Sequence, residues 1–426
     1  MSAYQGAART WLTLAALSFF LPASARLGVW LPLHLTLLGA ASVAIFGAMQ
    51  MFSITMTATP DPPTAVVWAE FGLVNSAVAA VTIGRPLSLP WLVAAGGVSF
   101  VAGSCLLAWV LRSAWSKALN KRHPLPLQMY GAAIGCVVVG GTLGAAMGSG
   151  RISSAGVFLD VRYAHMTLNV LGWIGLTICG TLVTLLPTIL RVRMPVWHGR
   201  GTGALLVSGV LLLATGFAFG VTPVAIAGGL AWLAGAGGVL WMVTKVIRTP
   251  RRYPPPVAAR HILAAIAWFA VGSVALAISA GSGAAGFGTF RADFLVFFAI
   301  GWIVQTLLGA WLYLLPMQRP AHPDERRATL IALEFGGWIE LIALNAGVAL
   351  MAIRGARWGS VGAGQTGVIL TSIGVAITLA KVWCFPWLAR ALQVLPLGRR
   401  HLPWEPQAPD GSRSDDAGTI VACRRP

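Results

Sequence analysis

Two histidines lie inside apolar stretches of this chain, where an ionisable side chain is costly and usually faces a partner or an interior cavity. His34 stands in Leu33-His34-Leu35-Thr36-Leu37-Leu38-Gly39, and His165 in Ala164-His165-Met166-Thr167-Leu168-Asn169. Imidazole is a common transition-metal ligand, and it serves equally well as a hydrogen-bonding group between helices. The two precede Gly39 and Gly172 by five and seven residues, so their rings differ by about 3 Å in depth at the helical rise. Met147 and Met166 are the nearby thioethers, which select Cu(I) where they ligate and act as apolar filler where they do not. Arg151, Asp160, Arg162, Arg291 and Asp293 gather at the same end of the chain's apolar runs. They can pair with one another, or the arginines can receive the anionic groups of a ligand.

The other intramembrane ionisable groups are carboxylates. Glu70, Glu334 and Glu340 can mark a proton or ion path, or stay bonded to a neighbouring helix. Lys381 is expected to reach toward the nearer surface, and His261 to lie at an interface. His123, His198, His322 and His401 fall in polar segments beside arginines. Cys105, Cys136, Cys179 and Cys384 sit in apolar runs and Cys423 in the tail, without the spacing of a zinc site or a disulfide framework.

What must position these residues is set by composition. The chain has 426 residues, of which 57% are hydrophobic and 10% charged, with a mean hydropathy of +0.77. Soluble domains carry about a quarter charged residues, so a polytopic membrane protein in contact with a lipid bilayer is expected. Runs long enough to cross a bilayer occur at about 10–24, 28–53, 64–84, 89–111, 127–148, 164–190, 202–220, 223–246, 261–281, 291–316, 328–352 and 361–389. The net charge of +18 comes from short clusters between these runs, a positive-inside pattern and not a nucleic-acid stripe. It predicts a cell-membrane protein with both termini in the cytoplasm. Residues 395–426 read as a disordered cytosolic tail.

The sequence also repeats itself. Gly172-Trp173-Ile174, Thr177, Gly180 and Leu185-Leu186-Pro187 return as Gly301-Trp302-Ile303, Thr306, Gly309 and Leu314-Leu315-Pro316, at an offset of 129. Gly39 and Gly47 keep the same eight-residue gap, and Glu70-Phe71-Gly72 recurs as Glu334-Phe335-Gly336. The expected fold is therefore all-α, with twelve transmembrane helices in three pseudo-repeated four-helix units spanning about 1–125, 126–256 and 257–394.

With His-x2-Leu-Leu-Gly on the second helix and Ala-His-x3-Asn-x-Leu-Gly-Trp on the sixth, the chain resembles the haem–copper oxidase subunit I superfamily. The likeness is to its degenerate, NnrS-like branch and related actinobacterial membrane proteins. That resemblance implies three four-helix arcs, with His34 in the place of a low-spin haem ligand. It puts His165 on the helix that gives copper its first histidine. Helix seven lacks a His-His pair and helix ten lacks a histidine, so terminal oxidase activity is not expected. The implied function is haem binding, with copper as a further cofactor, in nitrogen-oxide or metal stress or respiratory redox. His34 and His165 would be the ligands, Met166 a supplementary one, and Arg162 and Arg291 would hold propionates. A membrane or periplasmic redox or copper protein would be the partner. Two other readings stand beside it: a proton- or metal-coupled transporter using Glu70, Glu334 and Glu340, and an assembly or anchoring subunit with structural histidines.

Overall fold

The computed structural model describes residues 2–119, 124–194, 197, 199–317, 323–355 and 361–394. The predicted tail, His123, His198, His322, His401 and Cys423 lie outside the described residues. Twelve helices follow one another: α1 (Ser2–Ser18), α2 (Trp30–Thr57), α3 (Thr64–Gly84), α4 (Pro90–Ser116), α5 (Pro124–Gly148) and α6 (Ala155–Leu190). After them come α7 (Arg200–Ala218), α8 (Thr222–Arg248), α9 (Val257–Ala280), α10 (Gly283–Phe294 running on through Gln305–Met317), α11 (Pro323–Glu334 and Gly337–Gly355) and α12 (Val361–Val394). Among the described residues, eleven are long and apolar enough to cross a membrane; α1, at 17 residues, is shorter.

Apolar residues surround the bundle as well as fill it. Trp68, Trp91, Val98, Trp241, Ile278 and Ile339 are exposed, as helices that contact lipid require. Cys105 and Cys384 are exposed with them, whereas Cys136 and Cys179 are buried, and all four are free thiols. The centre belongs to α2, α6 and α10, whose apolar windows are 67%, 89% and 72% buried, against at most 44% for the others.

Each central helix contains a π-helical stretch: Leu35–Ala41 in α2, Thr167–Gly175 in α6 and Leu295–Val304 in α10. The α10 stretch packs against both of the others. Such stretches widen a helix by one residue per turn and often accompany functional sites. The two Gly-Trp motifs fall inside their respective stretches. Both α2 and α6 end at left-handed residues, Ala58 (φ 53°) and Arg191 (φ 54°).

Close helix packing rests on glycines. A Cβ at Gly39, Gly172 or Gly301 would fall within 3.0 Å of Trp11, Cys136 or Trp268, respectively, on the preceding helix. A second glycine series, not evident from the sequence reading, joins α3 to α4, α7 to α8 and α11 to α12. A Cβ at Gly96 would lie 3.1 Å from the Ala77 carbonyl, at Gly228 2.4 Å from the Leu213 nitrogen, and at Gly367 2.8 Å from the Gly347 carbonyl. Seven residues further on, Gly103, Gly235 and Gly374 meet Val74, Leu206 and Leu344. Small residues let membrane helices approach this closely, where packing replaces the hydrophobic effect as the driving force.

Several boundaries differ from expectation. The first helix is Ser2–Ser18 instead of 10–24, because Tyr4, Ala8, Leu12 and Ala15 form its buried stripe and the chain turns after Ser18. Helix six begins at Ala155, so His165 lies well inside it instead of opening it. Helix ten likewise starts earlier, which places Arg162 and Arg291 on helical extensions of α6 and α10.

Candidate functional site

His34 and His165 come from two of the three central helices, each at the start of a π-helical stretch. Nδ1 of His34 lies 2.8 Å from the Trp30 carbonyl oxygen. Nδ1 of His165 lies 2.7 Å from the Gly140 carbonyl oxygen on α5. A carbonyl only accepts, so the tautomer that makes both bonds carries the proton on Nδ1 and keeps the lone pair on Nε2; Asn169 Nδ2 also lies 3.1 Å from His165 Nδ1. Neither Nε2 has a hydrogen-bond partner among the described residues. A metal-ligating histidine typically donates its other N–H in this way.

The surroundings fix both rings. Trp30 stacks on His34, with centroids 4.0 Å apart and planes 24° from parallel. His165 fits against a bare stretch of α5: a Cβ at Gly144 would fall 2.5 Å from its Cε1, and one at Gly140 2.5 Å from Asn169 Nδ2. Asn169 in turn donates to the His165 carbonyl oxygen at 2.7 Å.

The four residues assigned to one ligand feel one another's charge in successive pairs, though no hydrogen bond, ion pair or ring contact joins them among the described residues. His34 is within electrostatic reach of His165, His165 of Arg162, and Arg162 of Arg291. The α6 and α10 extensions that carry the arginines meet through Tyr163 and Phe287, whose rings are 5.2 Å apart. Neither arginine forms a hydrogen bond or ion pair among the described residues. The salt-bridge alternative with Asp160 and Asp293 is thus not realised, and Asp293 Oδ1 is buried without a partner. Met166 is half-buried and packs with the apolar core; Met147 is half-buried on α5. Among the described residues no cluster of three or more His, Cys, Asp or Glu side chains offers a metal-ligand set. Any metal there would depend on the two imidazoles and on ligands of another kind.

The carboxylates divide into separate settings. Glu70 is fully buried on α3, where the Tyr4 hydroxyl (3.0 Å) and Gln50 Nε2 (2.5 Å) donate to its Oε1. Glu340, equally buried, has Lys381 Nζ at 3.0 Å and His261 Nε2 at 3.5 Å. Glu334 accepts from the Val257 nitrogen and from Arg260 Nη2, both at 2.7 Å, and so caps the start of α9. Two expectations are corrected. His261 is buried against Glu340 and not interfacial; Lys381 turns inward to Glu340 and to the Leu333 carbonyl (3.2 Å) instead of reaching a surface. A buried carboxylate draws cations inward because an unpaired charge in the low-dielectric interior costs more than ordering the side chain.

The repeated Glu-Phe-Gly triplet also proves misleading. Glu70-Phe71-Gly72 lies within regular α3, whereas Glu334-Phe335-Gly336 sits at the break in α11, where Gly336 has φ +67°. The residue placed like Glu70 is Glu340. Trp11 donates to Asn75, five residues past Glu70, at 2.8 Å, and Trp268 donates to Asn345, five residues past Glu340, at 2.7 Å. Tyr4 and His261, each seven residues before its tryptophan, face those two glutamates.

No protein-family model matches the chain, and no curated protein matches it.

Proposed function

We propose that this protein is a membrane-embedded haem-binding protein in which His34 and His165 supply the ligands. One observation carries the reading: two imidazoles from different central helices lie within electrostatic reach of each other, each with Nδ1 against a carbonyl and Nε2 left over. Arg162 and Arg291 suit the anionic edge of a porphyrin, since they are cations with no protein counter-ion among the described residues. Haem would supply one-electron redox chemistry. The chain's own residues hold the tautomers, and the apolar helices exclude water. Copper bound by the same imidazoles with Met166 is the variant in which thioether replaces porphyrin. We do not assign an oxidase reaction.

The wider architecture we propose is a threefold one, in which four-helix units arose by duplication. The π-helical stretches, the glycine series and the matched left-handed ends of α2 and α6 support it. A path through Glu70, Glu334 and Glu340 has less support, because no hydrogen bond or ion pair joins Glu70 to the other two among the described residues.

The test is an absorption spectrum and elemental analysis of the detergent-purified chain. A Soret band is expected, weakened or shifted by His34→Ala and by His165→Ala but unchanged by His261→Ala. A spectrum without a Soret band, together with no copper, would refute the proposal.

A further inference from the structure

At the end of α6 the chain turns through Arg191 in the left-handed region (φ 54°), where glycine is the residue that bears no strain. Ala58 closes α2 in the same conformation (φ 53°), so the turn itself needs no long or charged side chain. Arg191 is exposed and directly follows Leu190, the last residue of its span, so it stands at a membrane surface. The turn from α8 to α9 comes up beside it. Tyr253 in that turn has the Arg191 guanidinium 5.7 Å from its ring centroid and the Arg252 guanidinium 5.5 Å from it. Three prolines, Pro254, Pro255 and Pro256, stiffen the backbone that follows the tyrosine.

Two guanidiniums held against one ring repel each other, and an anion shared between them turns that repulsion into attraction. Neither makes a hydrogen bond or ion pair to a side chain among the described residues. A guanidinium over an aromatic face keeps its N–H edge free, and that edge fits phosphate oxygens in pairs. Charge complementarity therefore points to an anion, and the setting points to a lipid. The helix leading into the turn, α8, has Trp241 and Ile247 exposed, and a bilayer leaflet supplies anionic headgroups where the spans end.

We propose that Arg191, Arg252 and Tyr253 form a binding site for the phosphate of an anionic phospholipid, the two guanidiniums sharing its oxygens while its acyl chains stay in the bilayer. Phosphatidylcholine bears the same phosphate with a cation attached, which the arginines repel, so the site selects by net charge. A soluble phosphodiester shares the headgroup chemistry but lacks the chains. The site lies at the other end of α6 from His165 and stands whether or not haem is bound.

The experiment is native mass spectrometry of the full chain in neutral detergent, titrated with dioleoyl phosphatidylglycerol, dioleoyl phosphatidylcholine or the deacylated headgroup glycerophosphoglycerol. One basic group near an anionic surface is worth about fivefold in affinity, so the first phosphatidylglycerol is expected to bind about 25-fold more tightly than phosphatidylcholine. Arg191→Gly and Arg252→Gln should each lower that preference about fivefold. The double variant Arg112→Gln/Lys117→Gln, which removes two exposed cations at the end of α4, should leave it unchanged. Glycine suits the left-handed backbone, so Arg191→Gly removes the guanidinium while sparing the fold; should it fail to assemble, Arg252→Gln decides alone. Equal affinity for the two lipids, or an equal loss in the α4 control, would overturn the proposal. So would glycerophosphoglycerol binding as tightly as the intact lipid, which would assign the site to a soluble phosphodiester.

Discussion

The substitution Gly144→Ala puts the histidine geometry at risk with a single methyl group. Its Cβ would lie 2.5 Å from Cε1 of His165 and 2.9 Å from Nδ1, whereas ordinary contact begins near 3.4 Å, so the ring must withdraw by about 0.9 Å. The 2.7 Å hydrogen bond to the Gly140 carbonyl lies on the same side and is stretched or lost. Overpacking costs about 1–3 kcal/mol, and a buried carbonyl without its donor costs about 1–3 kcal/mol more. A destabilisation of about 2–6 kcal/mol follows, together with loss of the fixed tautomer and hence of any Soret band. Gly135→Ala on the same helix is the control: nothing lies within 4 Å of its Cβ. It should be neutral or stabilising by up to about 1 kcal/mol. Steric-trap unfolding in bicelles measures both, with spectra taken on the same samples. If Gly144→Ala proved as mild as Gly135→Ala in both readouts, the ring would not be seated against α5, and the assignment of Nδ1 and Nε2 would fail with it.

Other outcomes follow from the same packing. Lys381→Met leaves Glu340 buried beside His261 alone and should cost about 3–5 kcal/mol, with much of that recovered in the double variant Lys381→Met/Glu340→Gln; steric trapping of the two measures the coupling. Trp268→Phe removes the bond to Asn345 and should cost about 0.6–2 kcal/mol, the range for a polar contact between membrane helices. Gly228→Ala would drive a methyl to 2.4 Å from the Leu213 backbone nitrogen, which cannot move as a side chain can. It should separate α7 from α8 and destabilise by about 1–3 kcal/mol, with a fall in folded yield as the simplest measure.

Helix existence was legible in the sequence because hydropathy alone selects it, and the two intramembrane histidines were legible because an imidazole in an apolar run is conspicuous. Position along the axis was less so. The stripe of Tyr4, Ala8, Leu12 and Ala15 belongs to a helix that starts near the N-terminus, but Gln5 and Arg9 dilute its hydropathy and pushed the expected span to 10–24. The extensions of α6 and α10 were hidden in the same way by Asp160, Arg162, Arg291 and Asp293, whose charges read as loop. Lys381 and His261 were misplaced for a different reason. Each was judged against lipid and water, whereas its position is decided by Glu340, a residue distant in sequence. The Glu-Phe-Gly match misled because three letters carry no register. The Trp–Asn hydrogen bonds, which do carry it, span more than sixty residues and were invisible before the helices were packed.

Once Glu70 and Glu340 are matched, the third-helix position makes a chemical argument across the chain. The glycines facing Val74, Leu206 and Leu344 place Glu70, Thr202 and Glu340 one turn before them. The contacts of Gly39, Gly172 and Gly301 with Trp11, Cys136 and Trp268 place Tyr4, Met129 and His261 two turns earlier on the neighbouring helix. A carboxylate occurs where the neighbour offers a polar group, as Tyr4 does for Glu70 and His261 for Glu340. Where the neighbour is Met129, the position is Thr202, and Gly203 beside it packs near the methionine. Donor and acceptor therefore change together, as expected of a tie between helices, since a conducting carboxylate would be needed whatever its neighbour. Glu70 and Glu340 are accounted for by the packing of α1 on α3 and of α9 on α11. The Nε2 atoms and the arginines at the histidine end, without partners among the described residues, are not accounted for by packing in this way.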